Sequence, residues 1–134
     1  MEQEALTHKI IGSAYSVFNH LGFGFLESIY KKAMLIELSN QGIKAEAEKP
    51  LKVYYDNQVV GEFFVDLYIE DKIIVELKAV QNLVKEHEVQ LVNYLTALKK
   101  DIGLLINFGP SGVEVKRKYK EFKQDQHDLI NISR

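Results

Sequence analysis

The sequence predicts an α/β fold of the mixed α+β type, in which helices pack on a sheet with antiparallel and parallel strands. Three observations predict it. Two segments near the N-terminus repeat apolar residues at helical spacing, and two central segments alternate apolar and polar residues. A helical segment then leads into an uninterrupted apolar run. A strand, a helix and a strand in that order form a crossover unit, whose two strands we expect to be parallel.

Apolar stripes predict three helices. The first covers residues 4–19, with one stripe made of Leu6, Ile10, Ala14, Val17 and Phe18. The second covers about residues 26–39, and Gly42 just beyond it is a stop signal. The third covers about residues 85–99, with a stripe made of Leu91, Tyr94, Leu95 and Leu98.

Five segments have the pattern of strands, and the element order is α-α-β-β-β-α-β-β. The strands are predicted at residues 51–55, 59–69, 73–79, 102–108 and 113–118. Turn signals separate them at Asp56-Asn57, at residues 70–72 and at residues 109–112. Residues 44–50 are polar and are interpreted as a linking segment.

Composition narrows the class of protein. The 134 residues are 46% hydrophobic and 27% charged, which is the balance of one globular domain. We expect its core at about residues 5–118 and a polar tail at about 119–134. The chain has no cysteine, which excludes disulfides, thiolate zinc sites and cysteine nucleophiles. The sequence has neither a secretory signal nor an apolar membrane span, so we expect a cytoplasmic protein without membrane contact.

The hairpin of residues 59–79 carries the chemically informative pattern. A loop of residues 70–72 places three apolar pairs on one face, namely Ile69 with Ile73, Leu67 with Val75 and Val65 with Leu77. Asp66 then faces Glu76 on the other side, with Cβ atoms ~4.5–5.5 Å apart. Lys78 projects from the same face, two residues further on.

Two close carboxylates repel each other, and a divalent cation that prefers oxygen ligands removes the repulsion. A neighbouring lysine can stabilise a phosphorane-like transition state or orient the attacking water. Asp66, Glu76 and Lys78 therefore suggest a phosphodiester hydrolase site. The alternative is an ordinary solvated hairpin face, although Phe64, Tyr68 and Ile74 on that face weaken it.

Other residues extend this pattern, and each also has an interpretation that requires no role in catalysis. Glu27 and Tyr30 lie on one face of the second helix, where an acid near the N-terminus is also simply stabilising. Gln90 and Tyr94 are spaced i, i+4 on the third helix, and a lone tyrosine there is more often part of the core. The four histidines show no ligand spacing that would indicate zinc.

Residues 24–30 read G-x-x-E-x-x-Y, and Asp66, the E-x-K of residues 76–78 and the Q-x-x-x-Y of residues 90–94 follow in order. This set resembles the GxxExxY family, a small branch of the PD-(D/E)XK nuclease superfamily close to RecB-like nucleases. The resemblance covers about residues 5–118. It implies a restriction-endonuclease-like αβββαβ core with an extra N-terminal helix and a C-terminal strand. The proline of the superfamily's name is absent, because Val65 precedes Asp66.

The resemblance also implies roles for individual residues. Asp66, Glu76 and the carbonyl of Leu77 would be metal ligands, and Glu27 would reach the metal directly or through water. Lys78 would be the catalytic lysine. Gln90 and Tyr94 would be accessory catalytic residues.

We therefore predict a Mg²⁺- or Mn²⁺-dependent nuclease that acts on DNA in preference to RNA. The C-terminal part from residue 99 carries 8 Lys and Arg against 5 Asp and Glu. Nucleic-acid contact is assigned to Tyr30, Lys116, Lys118 and Lys120, and the alternative for the lysines is a solvated edge strand. A second hypothesis is a nuclease-fold binding or regulatory module that acts within a complex or as a homodimer.

Overall fold

A computed structural model describes residues 2–120, and these contain the eight elements in the predicted order. The helices are α1 (Gln3–Leu21), α2 (Glu27–Asn40) and α3 (Lys85–Leu98). The strands are β1 (Ala45–Tyr55), β2 (Gln58–Ile69), β3 (Ile73–Lys78), β4 (Ile102–Gly109) and β5 (Gly112–Tyr119). Nearly all of the predicted polar tail lies outside the described residues.

The five strands form one mixed sheet in the order β1-β2-β3-β4-β5. Neighbouring strands are antiparallel except β3 and β4, which run parallel with Ile73 beside Ile102. The parallel pair flanks α3 in the chain, as the crossover pattern predicts. The α+β fold class is therefore confirmed, and the architecture is consistent with a restriction-endonuclease-like fold.

Helices cover both faces of the sheet. One buried cluster joins α1 and α2 to the sheet and includes Ile10, Met34 and Leu77. A second cluster joins α3 to the opposite face and includes Leu91 and Leu105. Every residue of β4 is buried, which explains why its sequence is apolar without alternation.

Helix α3 lies very close to β4 at Gly103. A Cβ atom added there would lie 2.8 Å from Cδ1 of Leu91 and 3.2 Å from Cδ2 of Leu95. The glycine therefore permits a helix-to-strand distance that a larger residue would prevent. This contact helps to fix the height of α3 above the sheet.

Strand β1 begins earlier than predicted. Residues 44–50 were expected to link a helix and a strand, but Ala45 already pairs with Ile69 and Pro50 pairs with Phe64. Because β1 is an edge strand and much of this stretch faces solvent, its residues are polar and do not show the expected pattern. The linker prediction is wrong for that physical reason.

Both predicted hairpin turns are present. Asp56 and Asn57 have φ values of 51° and 61°, the left-handed conformation that a two-residue turn between β1 and β2 requires. Glu70 and Asp71, with φ values of 53° and 54°, begin the turn of residues 70–72. This turn sets the predicted register, in which Ile69 pairs with Ile73 and Leu67 with Val75.

The hairpin alternation changes face at Asp66, which corrects one prediction. Pairing of β2 with β3 ends at Leu67, so the predicted pair of Val65 with Leu77 is not formed. Val65 packs in the cluster on the α3 side, whereas Leu67 packs on the side of α1 and α2. On the neighbouring strand, the ladder skips Glu48, whose φ is 55°. Strands β2 and β3 therefore separate where Asp66 and Glu76 lie.

No helix among residues 2–120 is both long enough and apolar enough to cross a membrane.

Candidate active site

The carboxyl groups of Asp66 and Glu76 meet where β2 separates from β3. Oδ2 of Asp66 accepts a hydrogen bond of 2.8 Å from the N–H of Leu77. The side chain thus takes the place of the β2 backbone that a regular ladder would supply. The approach of the two acids was predicted, but a side-chain bridge produces it instead of continuous strand pairing.

Glu76 is a buried acid with an unusual protonation equilibrium. Its residue is only 8% exposed, and its Oε1 has no hydrogen-bond partner among the described residues. Burial, together with the hydrogen bond and negative charge of Asp66, raises the pKa of Glu76 to about 9, although the charge of Lys78 opposes the rise. The metal-free protein therefore keeps a proton on Glu76 at neutral pH.

An unpartnered oxygen beside a second carboxyl group has the donor chemistry that Mg²⁺ and Mn²⁺ prefer. The described residues contain no group of three or more His, Asp or Glu side chains that could hold a metal. The Asp66–Glu76 pair therefore fits an open site, in which water and substrate complete the coordination. Glu27 is exposed at the first position of α2 and does not complete such a group, so its role as a ligand stays a prediction.

Lys78 ends β3, and a buried asparagine supports this end of the strand. Asn107 of β4 is opposite Lys78 in the parallel register. Its Oδ1 accepts from the N–H of Val80 at 2.9 Å, and its Nδ2 donates to the carbonyl of Val80 at 3.0 Å. These bonds fix the chain two residues after Lys78. Sequence analysis missed Asn107, although one amide within the apolar run of β4 was the signal.

Tyr94 is close enough to the carboxyl pair to interact with it electrostatically, and its accessory role stays a prediction. Its partial burial and the charges of Glu76 and Asp66 raise its pKa, and a hydrogen bond with Gln90 opposes that shift. The Tyr94 ring stacks on Phe63 of β2 with the centroids 4.0 Å apart. Gln90 is exposed and reaches the pair only through Tyr94.

The structure assigns Tyr30 a different role from nucleic-acid contact. Tyr30 is fully buried, and its ring stacks on the ring of Phe108 with the centroids 4.3 Å apart. The hydroxyl donates to the carbonyl of Gly22 and accepts from the N–H of Phe25. A buried ring offers no surface to a strand, so Tyr30 instead fixes the loop before α2. This corrects the expectation from sequence.

Sequence analysis missed a second lysine at the site. Lys31 follows Tyr30 on α2, and its Nζ lies 3.9 Å from Oδ1 of Asp66. The same ammonium forms an ion pair with Glu48 of β1. Lys31 is also four residues after Glu27, so both lie on one helix face. No local spacing in the sequence links Lys31 to Asp66.

The lysines of β5 extend along the sheet from the site. Lys116 pairs with Leu105, which in turn pairs with Glu76, so all three lie in one row on the α3 side. Lys116 is therefore two strands from Glu76, or ~10 Å. Lys118 lies on the same face but pairs with Glu88 of α3 at 2.5 Å. The N–H of Lys120 bonds to the carbonyl of Asp101.

Comparison with known protein families shows the superfamily of this chain. Residues 4–120 match the sequence profile of the PD-(D/E)XK nuclease superfamily. The chain belongs to the PD-(D/E)XK nuclease superfamily. The matched range contains Asp66, Glu76 and Lys78, whose roles as site residues stay a prediction.

A solved structure supports the fold of this PD-(D/E)XK protein. The protein in "Crystal structure of SSO0001" superimposes on it with a TM-score of 0.57 at 18% sequence identity. The match covers 81% of this chain and 59% of that chain. At this identity the similarity concerns the fold alone. No curated protein is significantly similar to the chain in sequence.

Proposed function

We propose that this PD-(D/E)XK protein is a Mg²⁺- or Mn²⁺-dependent nuclease that hydrolyses phosphodiester bonds, with DNA as the preferred substrate. We also propose that it belongs to the GxxExxY family of the RecB-like branch, on the motifs at residues 24–30, 66, 76–78 and 90–94. The single observation that carries the nuclease proposal is the buried Glu76 oxygen without a partner, beside Asp66 and Lys78.

Asp66 and Glu76, with the carbonyl of Leu77, would hold the metal. When bound, the metal would supply Lewis-acid stabilisation of phosphate charge and lower the pKa of water. Asp66 keeps its orientation through the N–H of Leu77, and Glu76 gives up its proton before it can act as an anionic ligand. Burial of Glu76 excludes water from one side of the pair.

Lys78 would act on the reacting phosphate or on the attacking water. Its ammonium is close enough to Glu76 to lower the pKa of that acid, so a positive charge lies beside the carboxyl pair. Support from Asn107 keeps this end of β3 in place. A positive charge fixed there stabilises the negative charge of the transition state.

Nucleic-acid contact would involve Lys116 and Lys120, with Lys118 joining if it leaves Glu88. The row that connects Glu76, Leu105 and Lys116 supports this, because Lys116 then lies on the same sheet face as Glu76. A cytoplasmic location and a homodimer stay predictions from the sequence.

A cleavage assay tests the proposal. Plasmid DNA, single-stranded DNA and RNA are incubated with wild type and with Asp66→Asn, in EDTA, Mg²⁺, Mn²⁺ or Ca²⁺. We expect cleavage by wild type in Mg²⁺ or Mn²⁺, faster on DNA, and none by Asp66→Asn. Metal-dependent binding without cleavage by wild type would instead favour the nuclease-fold binding module.

A further inference from the structure

An ion pair between α2 and β1 is directly beside Asp66. The ammonium of Lys31 contacts the Glu48 carboxylate and lies 3.9 Å from Oδ1 of Asp66. The Lys31 side chain is only 18% exposed, so water screens this charge less than it would at the surface. We infer that Lys31 and Glu48 are positioning residues, which hold the carboxylate of Asp66 in its working orientation.

The first argument is that both oxygens of Asp66 are engaged on opposite sides of the carboxylate. Oδ2 accepts the N–H of Leu77 at 2.8 Å, and Oδ1 faces Lys31. The hydrogen bonds that Asp66 forms with the N–H of Leu77 and with Glu76 both come from β3. A charged contact from α2 on the other oxygen restricts the carboxylate from a second direction.

The second argument is the backbone of Glu48. Its φ of 55° is a left-handed conformation within strand β1, at a residue that is not glycine. The ladder runs from Ala47 with Leu67 directly to Lys49 with Val65, so Glu48 and Asp66 occupy the skipped row. Such strain persists only where surrounding contacts enforce it, and it is concentrated at functional sites.

The third argument concerns whether Glu48 acts as a metal ligand itself. Glu48, Asp66 and Glu76 do not form a group that could hold a metal among the described residues. The ion pair with Lys31 is the contact through which Glu48 acts on Asp66. A long lysine side chain has many rotamers, and the Glu48 ion pair restricts them so that the ammonium stays near Oδ1.

This inference rests on the proposed nuclease function, and its test separates the two. The variants are Lys31→Met, Glu48→Gln, the double variant, Lys31→Arg and a matched control, Lys49→Met. Lys49 pairs with Glu46 at 3.1 Å on the same strand as Glu48, but this pair does not contact Asp66. Cleavage in Mn²⁺ gives kcat and KM, and calorimetry with Mn²⁺ alone gives the metal dissociation constant.

We expect Lys31→Met to lower kcat about ten- to hundredfold while KM stays within about twofold, because orientation and not substrate binding is lost. Glu48→Gln should lower kcat less. The double variant should be no slower than Lys31→Met, because Glu48 acts through Lys31. Lys31→Arg should restore most of the rate, and Lys49→Met should match wild type.

The Mn²⁺ dissociation constant distinguishes positioning from damage to the fold. Loss of the Lys31 ammonium removes a charge that repels the metal, so Lys31→Met should bind Mn²⁺ at least as tightly as wild type. An unchanged kcat, losses that multiply in the double variant, or Mn²⁺ binding as weak as in Asp66→Asn would overturn the inference. Wild type that neither binds Mn²⁺ nor cleaves would overturn the proposed function together with it.

Discussion

Replacement of Glu76 by glutamine should remove a pH dependence from the stability of the metal-free protein. Glu76 has a pKa of about 9 in the folded chain, against an ordinary value of about 4.5 in an unfolded chain. A carboxyl group whose pKa is higher when folded binds its proton more tightly in the folded state. The stability that the bound proton contributes is therefore fully present below the unfolded pKa of about 4.5. It is lost as the pH rises toward the folded pKa of about 9.

The size of this change in the free energy of unfolding follows from the pH interval between the two pKa values of Glu76. Each pH unit between the two values changes the free energy of unfolding by ~1.4 kcal/mol per proton. Between pH 6 and pH 8, wild type should therefore lose ~2–3 kcal/mol relative to Glu76→Gln. For a domain of this size that difference corresponds to about 6–15 °C in Tm.

The assay is thermal and urea unfolding in EDTA at pH 6, 7 and 8. Glutamine resembles the protonated acid in shape, so the two proteins should be similar only below about pH 4.5, and the difference between them should grow steadily from pH 6 to pH 8. Subtracting the stability curve of one protein from that of the other cancels the contributions of the histidines and of the other groups that titrate in both proteins.

Glu88→Gln is the matched control. The hydrogen bond from Lys118 lowers the pKa of Glu88, so this acid is ionised in both states from pH 6 to pH 8 and contributes no slope. Its variant should keep the full pH dependence of wild type. Parallel curves for wild type and Glu76→Gln would refute the reasoning, because they would mean that Glu76 is ionised in the folded protein.

Three further predictions concern other parts of the molecule. Lys78→Met should abolish cleavage yet keep the melting-temperature increase that Mn²⁺ produces; loss of that increase would make Lys78 part of the metal site. Lys116→Gln should lower the salt slope of DNA binding by about 0.7–0.9, while Lys118→Gln, which removes a lysine already paired with α3, should lower it less. Slopes unchanged from wild type in both variants would indicate a solvated edge strand. Gly103→Ala should cost about 1–3 kcal/mol in urea unfolding, because its Cβ would lie 2.8 Å from Leu91; an unchanged midpoint would show that α3 moves freely.

Periodicity in the sequence predicts most of this fold. The helical stripes, the crossover unit and the three-residue turn after Ile69 all appear where they were expected. The polar start of β1 could not be predicted, because an edge strand does not need an apolar pattern. Asp66 and Glu76 were found because the turn length fixes which residues face each other across a hairpin.

The rest of the site depends on contacts that have no local signal. Lys31 and Asp66 are on different elements, and their approach follows from how α2 lies on the sheet. The left-handed backbone at Glu48 is not marked by a glycine, so the change of face at Asp66 could not be anticipated. Alternation assumes a regular strand, and this strand is irregular where the acids meet.

The bonds of Asn107 to Val80 have a consequence for the order of folding. Asp66 and Glu76 are in one hairpin, which can form from contacts close in sequence. Asn107 reaches Val80 across 27 residues, so its bonds form only after β4 has docked beside β3. We therefore expect the support of the chain beyond Lys78 to form later in folding than the approach of Asp66 to Glu76.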